Sequence, residues 1–476
     1  MEKESTVDKK FKKLASNTTV FAIGSIGSKF ITFLLVPIYT NALNTSEYGT
    51  TEIVITATNL LMPFLSLSMQ DSVLRFGLAP EIDSNKVIKN AVIIVSIGSI
   101  ISCLATPIYG LYSVIGEWAV YFSALIVLNM FRTIFSLQAK VLDKNVIFTI
   151  DVLIYSALTC VLSYMFLIVF KQGIEGYFNA LIISNVISVA FLCISCNVLK
   201  SIYSAAYDAK LMKQMIRFSV PLIFNAVSWW IANSSDRLML DYFCGTSDVG
   251  LYSVAAKIPS IITSITGIFN QAWMISSVNE YDTTNDKSFY TKTFEGYNFV
   301  LIVLTAIAII FIRPFMLLYV GIGFHTSWVY VPFLLVGAIF YSYANFFGAI
   351  YMSAKKNYSI MATTLVAALA NLVLNYIMIP LWGIQGAVVA TMISYMTVGI
   401  YRMLGSRAIV DIQYNVKQLF ASFALLIVES TLIIMKVKLM ILAVLAVFLI
   451  LYIYRTKIIA LLTMLRRKMS RTKVSR

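Results

Sequence analysis

Long apolar runs, separated by short polar segments, repeat along the whole chain. A helix that crosses the hydrocarbon core of a bilayer needs about 20 mainly apolar residues. The pattern therefore predicts fourteen membrane-spanning helices, at residues 17–40, 50–76, 87–109, 117–137, 146–170, 174–199, 215–240, 250–275, 297–319, 327–351, 358–379, 384–404, 415–435 and 439–456.

The composition agrees with this pattern. Hydrophobic residues make up 59% of the chain and charged residues 12%, and the mean hydropathy is +0.83. A soluble domain has about half apolar and a quarter charged residues. The first run is too long for the apolar part of a signal peptide, and no small-residue cleavage pattern follows it. We therefore expect an all-α integral membrane protein whose first run is helix 1.

The formal net charge of +15 raises the question of a nucleic-acid partner. With the N-terminus on the inner side, 29 of the 37 Lys and Arg residues fall in inner segments and five in outer ones. Such a bias sets the orientation of membrane proteins, so it accounts for the basic balance without nucleic acid. Both termini are predicted to be cytoplasmic, and the basic tail at 465–476 is expected to contact anionic lipid headgroups.

Two phrases occur twice. TSEYG at 45–49 returns as TSDVG at 246–250, and GIEGYFNALIIS at 173–184 returns as GIQGAVVATMIS at 383–394, at offsets of 201 and 210 residues. Repeats of this kind mark the halves of many transporters. Helices 1–6 and 7–12 are therefore predicted to be two copies, related by a pseudo-two-fold axis along the membrane normal.

The duplication predicts the domain organisation. We expect an N-lobe at 1–199, a cytoplasmic connecting loop at 200–214, a C-lobe at 215–412, and two extra helices with a basic cytoplasmic tail at 413–476. The repeated phrase is interpreted as a tight outer turn, where Gly49 and Gly250 permit turning. Ser46 or Ser247, or the acidic residue after each, is expected to cap the helix that follows.

Several charged residues lie where hydrocarbon should reject them, because an ionised group near the bilayer centre costs about 2.5–3.5 kcal/mol. Asp71 and Arg75 are four residues apart and predict a local ion pair. Arg132 and Asp151 can pair with one another or reach the inner surface. The same two interpretations, pairing or reaching an interface, apply to Arg313 and Glu429 near outer ends.

Lys29 and Lys257 are harder to place. At 1.5 Å per residue they lie about 24 and 16 Å below the nearest outer turn, too deep to reach it easily. Asp236 falls at nearly the depth of Lys257, which predicts a pair or a shared site, whereas Arg237 points about 100° away and needs another partner. For the two lysines, a role facing a central cavity and a structural pairing both remain open.

At these residues the chain resembles a known family. FLLVPIYTNALNTSEYGTTE at 33–52 and RFSVPLIFNAVSWWIANSSDRLMLDYFCGTSDVGLYSVAAKI at 217–258 are similar to Wzx-type polysaccharide flippases. These belong to the multidrug/oligosaccharidyl-lipid/polysaccharide (MOP) exporter superfamily. The resemblance implies a MATE-like fold, with two six-helix lobes around a cationic cavity and, in many members, two further helices.

The resemblance also implies a function in bacterial surface polysaccharide synthesis. A flippase of this type moves undecaprenyl diphosphate-linked oligosaccharides from the inner to the outer leaflet of the cytoplasmic membrane by alternating access. On this view Lys29, Arg237 and Lys257 bind the diphosphate, and Asp236 tunes Lys257 or couples an ion, H⁺ or Na⁺. Polysaccharide assembly proteins are further candidate partners, and no cofactor or metal is expected.

Three alternatives stay open. Drug exporters of the same superfamily often carry an acid on helix 1, where this chain has Lys29, and a cationic cavity would repel a cationic drug. Peptidoglycan-precursor flippases are closely related. A membrane glycan polymerase or glycosyltransferase would need long catalytic loops, but the sole histidine, His325, stands alone and no nucleophile, metal or nucleotide signature occurs. We expect a transporter and not an enzyme.

Overall fold

The computed structural model describes residue 24 and residues 27–283, 286–435, 440–459 and 463. Within these residues the regular structure is helical and none of it is strand. Apolar side chains cover much of the outside of the helices, as expected for surfaces in contact with lipid. The all-α membrane fold class is confirmed.

The described part of the first half of the chain contains ten α-helices. They are α1 (27–42), α2 (Thr45–Leu65), α3 (Met69–Gly77), α4 (Ser84–Leu104), α5 (Thr106–Tyr109), α6 (Ala119–Val141), α7 (Asn145–Ser163), α8 (Gly173–Ser195), α9 (Val198–Ser204) and α10 (Ala209–Cys244). A 3₁₀ turn, Gly116–Trp118, precedes α6, and a π-helical segment, Tyr164–Val169, continues α7.

The second half continues in the same way. It contains α11 (Thr246–Thr283), α12 (Lys287–Tyr319), a 3₁₀ segment (Ile322–Tyr330), α13 (Val331–Ser353), α14 (Asn357–Trp382), α15 (Ile384–Ser406), α16 (Val416–Ile434) and α17 (Met440–Ile453).

Eleven helices of the described part are long and apolar enough to cross a membrane, or twelve if α2 and α3 form one bent span. The predicted first run, 17–40, lies partly outside the described residues. In the predicted last run, the apolar helix Ile441–Ile453 is shorter than these spans. A multi-pass membrane protein is confirmed, whereas the count of fourteen stays a prediction.

The second predicted span, 50–76, is not one continuous helix. α2 and α3 meet at an angle of 54°. Leu67 and Ser68 between them have φ of 48° and 50°, a left-handed conformation that is unfavourable for residues with a Cβ atom. Pro63 lies in the last turn of α2, where it removes one helical hydrogen bond. Asp71 and Arg75 therefore belong to a separate nine-residue helix.

Three long helices extend beyond the apolar runs that predicted them. α10 begins at Ala209 instead of 215, α11 ends at Thr283 instead of 275, and α12 begins at Lys287 instead of 297. The predicted loop 200–214 thus contains the end of α9 and the first turns of α10. Apolar runs end at polar residues, but a helix continues until its backbone is interrupted or capped.

Asp208 provides the cap of α10. Its carboxylate accepts a hydrogen bond from the backbone N–H of Leu211 at 3.0 Å and lies 3.4 Å from Lys86 Nζ. The hydrogen bond from Leu211, with a smaller contribution from Lys86, lowers the pKa of Asp208 below its ordinary value. This aspartate fixes the point at which α10 begins.

The chain divides into two compact units. Unit 1 comprises residues 1–254, 320–324 and 379–384, and unit 2 comprises residues 255–319, 325–378 and 385–476. Inside unit 1, α10 packs against α2, α3 and α4. The lobe boundaries inferred from the repeats stay a prediction.

Candidate functional site

The two copies of the repeated phrase touch each other inside unit 1, where α2 and α11 begin. We call this contact, formed by residues 45–49 and 246–250, the motif crossing. Thr45 Oγ1 lies 2.8 Å from Ser247 Oγ, and Ser46 Oγ lies 2.6 Å from Thr246 Oγ1. Each Thr-Ser pair therefore bonds the Ser-Thr pair of the other copy, as a local two-fold axis requires.

Gly49 and Gly250 lie inside the two helices of the motif crossing, where the backbones touch. A Cβ atom at Gly49 would be 1.8 Å from the carbonyl oxygen of Thr246, and one at Gly250 would be 2.0 Å from that of Thr45. Any larger residue must push the helices apart. Their predicted role in a tight turn is wrong, because Gly245, with φ of 92°, turns the chain there.

The cap of α2 also differs in part from the prediction. Asn44, not Ser46, is the capping residue, and its side-chain oxygen accepts from the backbone N–H of Glu47 at 2.9 Å. Glu47 in turn accepts from the backbone N–H of Asn44 at 2.8 Å, which completes a capping box. The predicted acidic residue therefore takes part, while Ser46 is used in the motif crossing.

A buried ionic cluster lies about one helical turn beyond the motif crossing. Arg237 Nε on α10 is 3.4 Å from Glu52 Oε2 on α2 and donates to Ser253 Oγ on α11 at 3.1 Å. Tyr48 Oη donates to the other carboxylate oxygen of Glu52 at 2.9 Å. Glu52 is the partner that the position of Arg237 required. Through Glu52 and Ser253, Arg237 connects α10 with α2 and α11.

Asp236, the residue before Arg237, has a different partner. It is buried, and Tyr252 Oη of α11 donates to its Oδ2 at 2.5 Å. The two adjacent charges thus face different neighbours, as their 100° separation on the helix requires. The pairing of Asp236 with Lys257 stays a prediction.

The two predicted cavity lysines differ in exposure. Lys29 lies on α1 with an exposed side chain, and Lys257 lies on α11 and is half-buried. Within the described residues, no carboxylate lies within ion-pair distance of Lys29. Within the part of the chain that the structure describes, Lys29 is therefore an exposed cation on a mainly apolar helix, without an acidic partner.

Asp71 and Arg75 lie on α3, but the structure does not form the predicted ion pair between them. Among the residues it describes, no acidic group lies within 4 Å of the Arg75 guanidinium. Arg75 is exposed and Asp71 is half-buried. An exposed pair gains little, because both charges can be solvated instead.

Arg132 and Asp151 form an ion pair, which is one of the two interpretations that the sequence allowed. Arg132 Nη2 lies 3.3 Å from Asp151 Oδ2, and its Nε donates to Ser188 Oγ at 2.7 Å. Ser188 also donates to Asp151, and the guanidinium lies 3.6 Å from the ring centroid of Tyr155. This network joins α6, α7 and α8 and leaves no free charge for a ligand.

Sequence reasoning missed Glu52 and Arg402. Glu52 was detectable, since it stands at the same place after TSEYG as Ser253 after TSDVG, and both contact Arg237. Arg402 was assigned to an inner segment, but it is buried in α15, with 3% of its surface exposed. The residues at the end of a membrane helix and those in its buried last turns are alike in composition. The sequence therefore did not show that Arg402 belongs to the buried turns.

The sequence model of the polysaccharide biosynthesis protein family matches residues 14–278, more than half of the chain. The chain belongs to this family. A curated relative of this protein, Lsg locus protein 1 of Haemophilus influenzae, is 21% identical to it over 273 residues. That match covers 55% of the chain and 65% of the relative, so the chain spans less than two thirds of the relative's length.

Two solved structures have the same fold as this protein. The lipid II flippase MurJ, in an inward closed conformation, matches with a TM-score of 0.67 and 12% identity over 93% of this chain and 100% of MurJ. An inward-facing MATE family transporter of the MOP superfamily matches with a TM-score of 0.66 and 15% identity over 82% and 98% of the two chains. The MATE-like fold that the resemblance implied is confirmed. Neither structure is of an enzyme.

Proposed function

We propose that this protein translocates undecaprenyl diphosphate-linked oligosaccharides from the inner to the outer leaflet for surface polysaccharide synthesis. The observation that carries the proposal is the exposed Lys29 on the apolar helix α1, in a chain of the polysaccharide biosynthesis family. A cation kept at that position favours an anionic cargo, and the diphosphate supplies that charge.

The chemistry of the cargo supports this assignment. A diphosphate with attached sugars cannot enter hydrocarbon unaided, because each charge is costly there. A lysine ammonium group offers three donors and a full charge, so it forms charge-assisted hydrogen bonds with phosphate oxygens. A cationic drug would be repelled by the same group.

The roles of the predicted site residues follow from their partners. Lys29 and Lys257 are proposed to bind the diphosphate. Arg237 is engaged by Glu52, so we propose that it orders the helices of the site and contacts cargo only if that pair opens. Asp236 is proposed to tune Lys257 or to participate in ion coupling.

The proposal includes a location and partners. The protein acts in the bacterial cytoplasmic membrane with both termini in the cytoplasm, by alternating access coupled to H⁺ or Na⁺. Membrane lipids and polysaccharide assembly proteins are its further partners. The inner bias of Lys and Arg residues supports this orientation.

Mass spectrometry of lipid extracts from cells depleted of the protein tests the proposal. We expect an undecaprenyl diphosphate oligosaccharide to accumulate, and its mass would define the repeat unit. Accumulation of the peptidoglycan precursor instead would assign the protein to that pathway. An unchanged lipid pool together with new sensitivity to cationic dyes would assign it to drug export.

Site variants test the role of the two lysines in the same assay. Lys29→Ala and Lys257→Ala are expected to abolish complementation of depleted cells at normal protein levels. Lys200→Ala, which removes an exposed lysine of α9, is the matched control and should complement fully. Full complementation by both site variants would contradict a cationic cargo site.

A further inference from the structure

Glu429 on α16 is a buried carboxyl group that the proposed cargo site does not use. None of its surface is exposed. Among the described residues, neither of its carboxyl oxygens has a hydrogen-bond partner. Buried polar groups are bonded in the great majority of cases, so an orphaned glutamate inside a membrane protein indicates a ligand of its own.

The contacts of α17 show what faces Glu429. Tyr454, the residue after α17, accepts from Asn298 Nδ2 of α12 at 2.8 Å through its Oη, which lies 3.3 Å from Ser422 Oγ of α16. Three residues further on, Lys457 lies 2.6 Å from Glu295 of α12, which is three residues before Asn298, so the chain here is antiparallel to α12. The α16–α17 hairpin is antiparallel as well, which makes α12 and α16 parallel.

Two further polar residues lie seven positions after Asn298 on α12 and after Ser422 on α16. Because these helices are parallel, the two residues lie at the same level. Two helical turns, about 10 Å, separate Asn298 from Thr305 and Ser422 from Glu429, and a step of seven residues returns nearly to the same helix face. Thr305 is also buried, and its hydroxyl oxygen has no hydrogen-bond partner among the described residues. Thr305 and Glu429 therefore lie at the same level of α12 and α16, and no hydrogen bond joins them.

No cation of the described residues faces Glu429 from the three helices packed against α16, which are α12, α13 and α17. On α12, Glu295 is paired with Lys457, and Arg313 lies over the ring of Trp328. On α13, Tyr343 donates to Asn298 two turns further inward.

The remaining charged and titratable groups of these elements are further from Glu429. Tyr454, Arg455 and Lys457 follow the end of α17, and Lys417 is in the first turn of α16, at or below the level of Ser422. Tyr452 on α17 is exposed and Tyr341 on α13 is half-buried. A negative charge on Glu429 would have no contact with solvent and, among the described residues, no counter-ion.

We propose that Glu429 is a proton-binding site, and that the ion coupled to transport is a proton. In the buried arrangement the carboxyl group is neutral. The site loads when a carboxylate oxygen takes a proton from water, and it unloads when the proton returns to water. A sodium ion would need several oxygen ligands at once, whereas a proton needs the carboxyl group alone. The coupling role rests on the proposed transport function, but the proton site does not.

Infrared spectroscopy of the purified full-length protein in lipid nanodiscs tests the site without any substrate. At neutral pH we expect a carbonyl band of a protonated carboxylic acid that is lost in Glu429→Gln. The band should persist in Glu295→Gln, a control that removes an ion-paired carboxylate of the same unit. A spectrum of Glu429→Gln identical to that of the wild type in this region would overturn the proposal.

Glu429→Asp keeps the test decisive if Glu429→Gln does not fold. It retains a carboxyl group on a shorter side chain, so a band of a protonated acid should remain at a changed frequency. A spectrum identical to that of the wild type would contradict the assignment of the band to this residue. Sodium added at constant pH should leave the band unchanged, and its loss would identify Na⁺ as the ligand instead.

The coupling role is tested by glycolipid translocation in proteoliposomes. An imposed pH gradient should accelerate translocation by the wild type and by Glu295→Gln, and should have no effect on Glu429→Gln. If the infrared band shows a neutral Glu429 but neither the wild type nor any variant moves glycolipid, the proton site is supported and the proposed cargo is wrong. If the pH gradient accelerates translocation equally in the wild type, Glu295→Gln and Glu429→Gln, the coupling role of Glu429 is wrong and the proposed cargo is supported.

Discussion

Arg132 in unit 1 and Arg402 in unit 2 are both guanidinium groups held among helices, but their partners differ in charge. Arg132 faces Asp151 at 3.3 Å. Arg402 donates to the hydroxyls of Thr363 and Thr364 at 2.9 and 2.8 Å, and to the carbonyl oxygens of two further residues. Within the described residues, no carboxylate lies within ion-pair distance of Arg402.

The repeats relate these two environments. The offset of 212 residues that aligns Lys144-Asn145 with Lys356-Asn357 also aligns Arg132 with Ala344 and Asp151 with Thr363. The carbonyl of Ala344 and the hydroxyl of Thr363 are two of the acceptors of Arg402. The second copy therefore supplies its cation from α15 instead of α13, and replaces the acid by neutral acceptors. The fold retains the place for a buried cation, not the residues that fill it.

Removing the acid from the first copy should have the largest effect. Asp151→Ala removes the buried counter-ion of Arg132, which is itself only partly exposed, so we expect the free energy of unfolding to fall by about 3–5 kcal/mol. Chemical denaturation in mixed micelles, followed by circular dichroism, measures this loss. Arg132→Met combined with Asp151→Leu should recover most of the stability. A loss below about 1 kcal/mol for Asp151→Ala would contradict a charge-dependent pairing.

Removing the cation from the second copy should cost less. Thr363 and Thr364 also donate to backbone carbonyls of their own helix, and Ala344 is helical, so none of the acceptors of Arg402 depends on it entirely. We expect Arg402→Met to lower the free energy of unfolding by about 1–3 kcal/mol in the same assay. A loss as large as that of Asp151→Ala would mean that neutral acceptors hold the cation as strongly as a carboxylate does.

Converting the second copy toward the first should have a smaller effect still. Thr363→Asp places a carboxylate next to Arg402, where the attraction and the desolvation penalty nearly offset, so we expect a change within about 1 kcal/mol. In an Arg402→Met background, the same aspartate is a buried unpaired charge and should be strongly destabilising. The double-mutant cycle measures the difference, and additive effects would contradict contact between positions 363 and 402.

An exposed ion pair provides the lower end of this comparison. The folded-state pKa of Asp208 is lowered, chiefly by the hydrogen bond from Leu211, so its stabilising contribution is present above its unfolded pKa of about 4 and is lost as the pH falls through the folded pKa. Asp208→Asn should be slightly less stable than the wild type at neutral pH, and the two should become equal in acid. Thermal unfolding of both proteins across this pH range tests the prediction. A stability difference that grew as the pH fell would contradict it.

The sequence predicted what depends on local composition. Apolar runs located the spans, the inner bias of Lys and Arg residues gave an orientation, and the repeated phrases identified the two segments that meet at the motif crossing. Each of these signals is carried by neighbouring residues or by a repeat. They therefore needed no knowledge of which helices pack together.

Features that depend on packing were missed or misjudged. Arg237 was known to need a partner, but Glu52 lies 185 positions earlier in the sequence and only the fold brings it near. The break after Pro63 depends on two left-handed residues, neither of which is glycine. Glu429 was interpreted as a paired or interfacial charge because its depth was judged from the end of its own helix, whereas α16 packs against α12, α13 and α17.

The motif crossing also bears on how the chain evolved. Its bonds exchange equivalent atoms, with Thr45 to Ser247 matched by Thr246 to Ser46, and this is the form of an isologous dimer contact. In a contact of this form each copy can change elsewhere, but here it must still fit the other. Changes at position 49 or 250 are thus constrained by the opposite copy, so the two glycines should covary across homologues as one inherited interface.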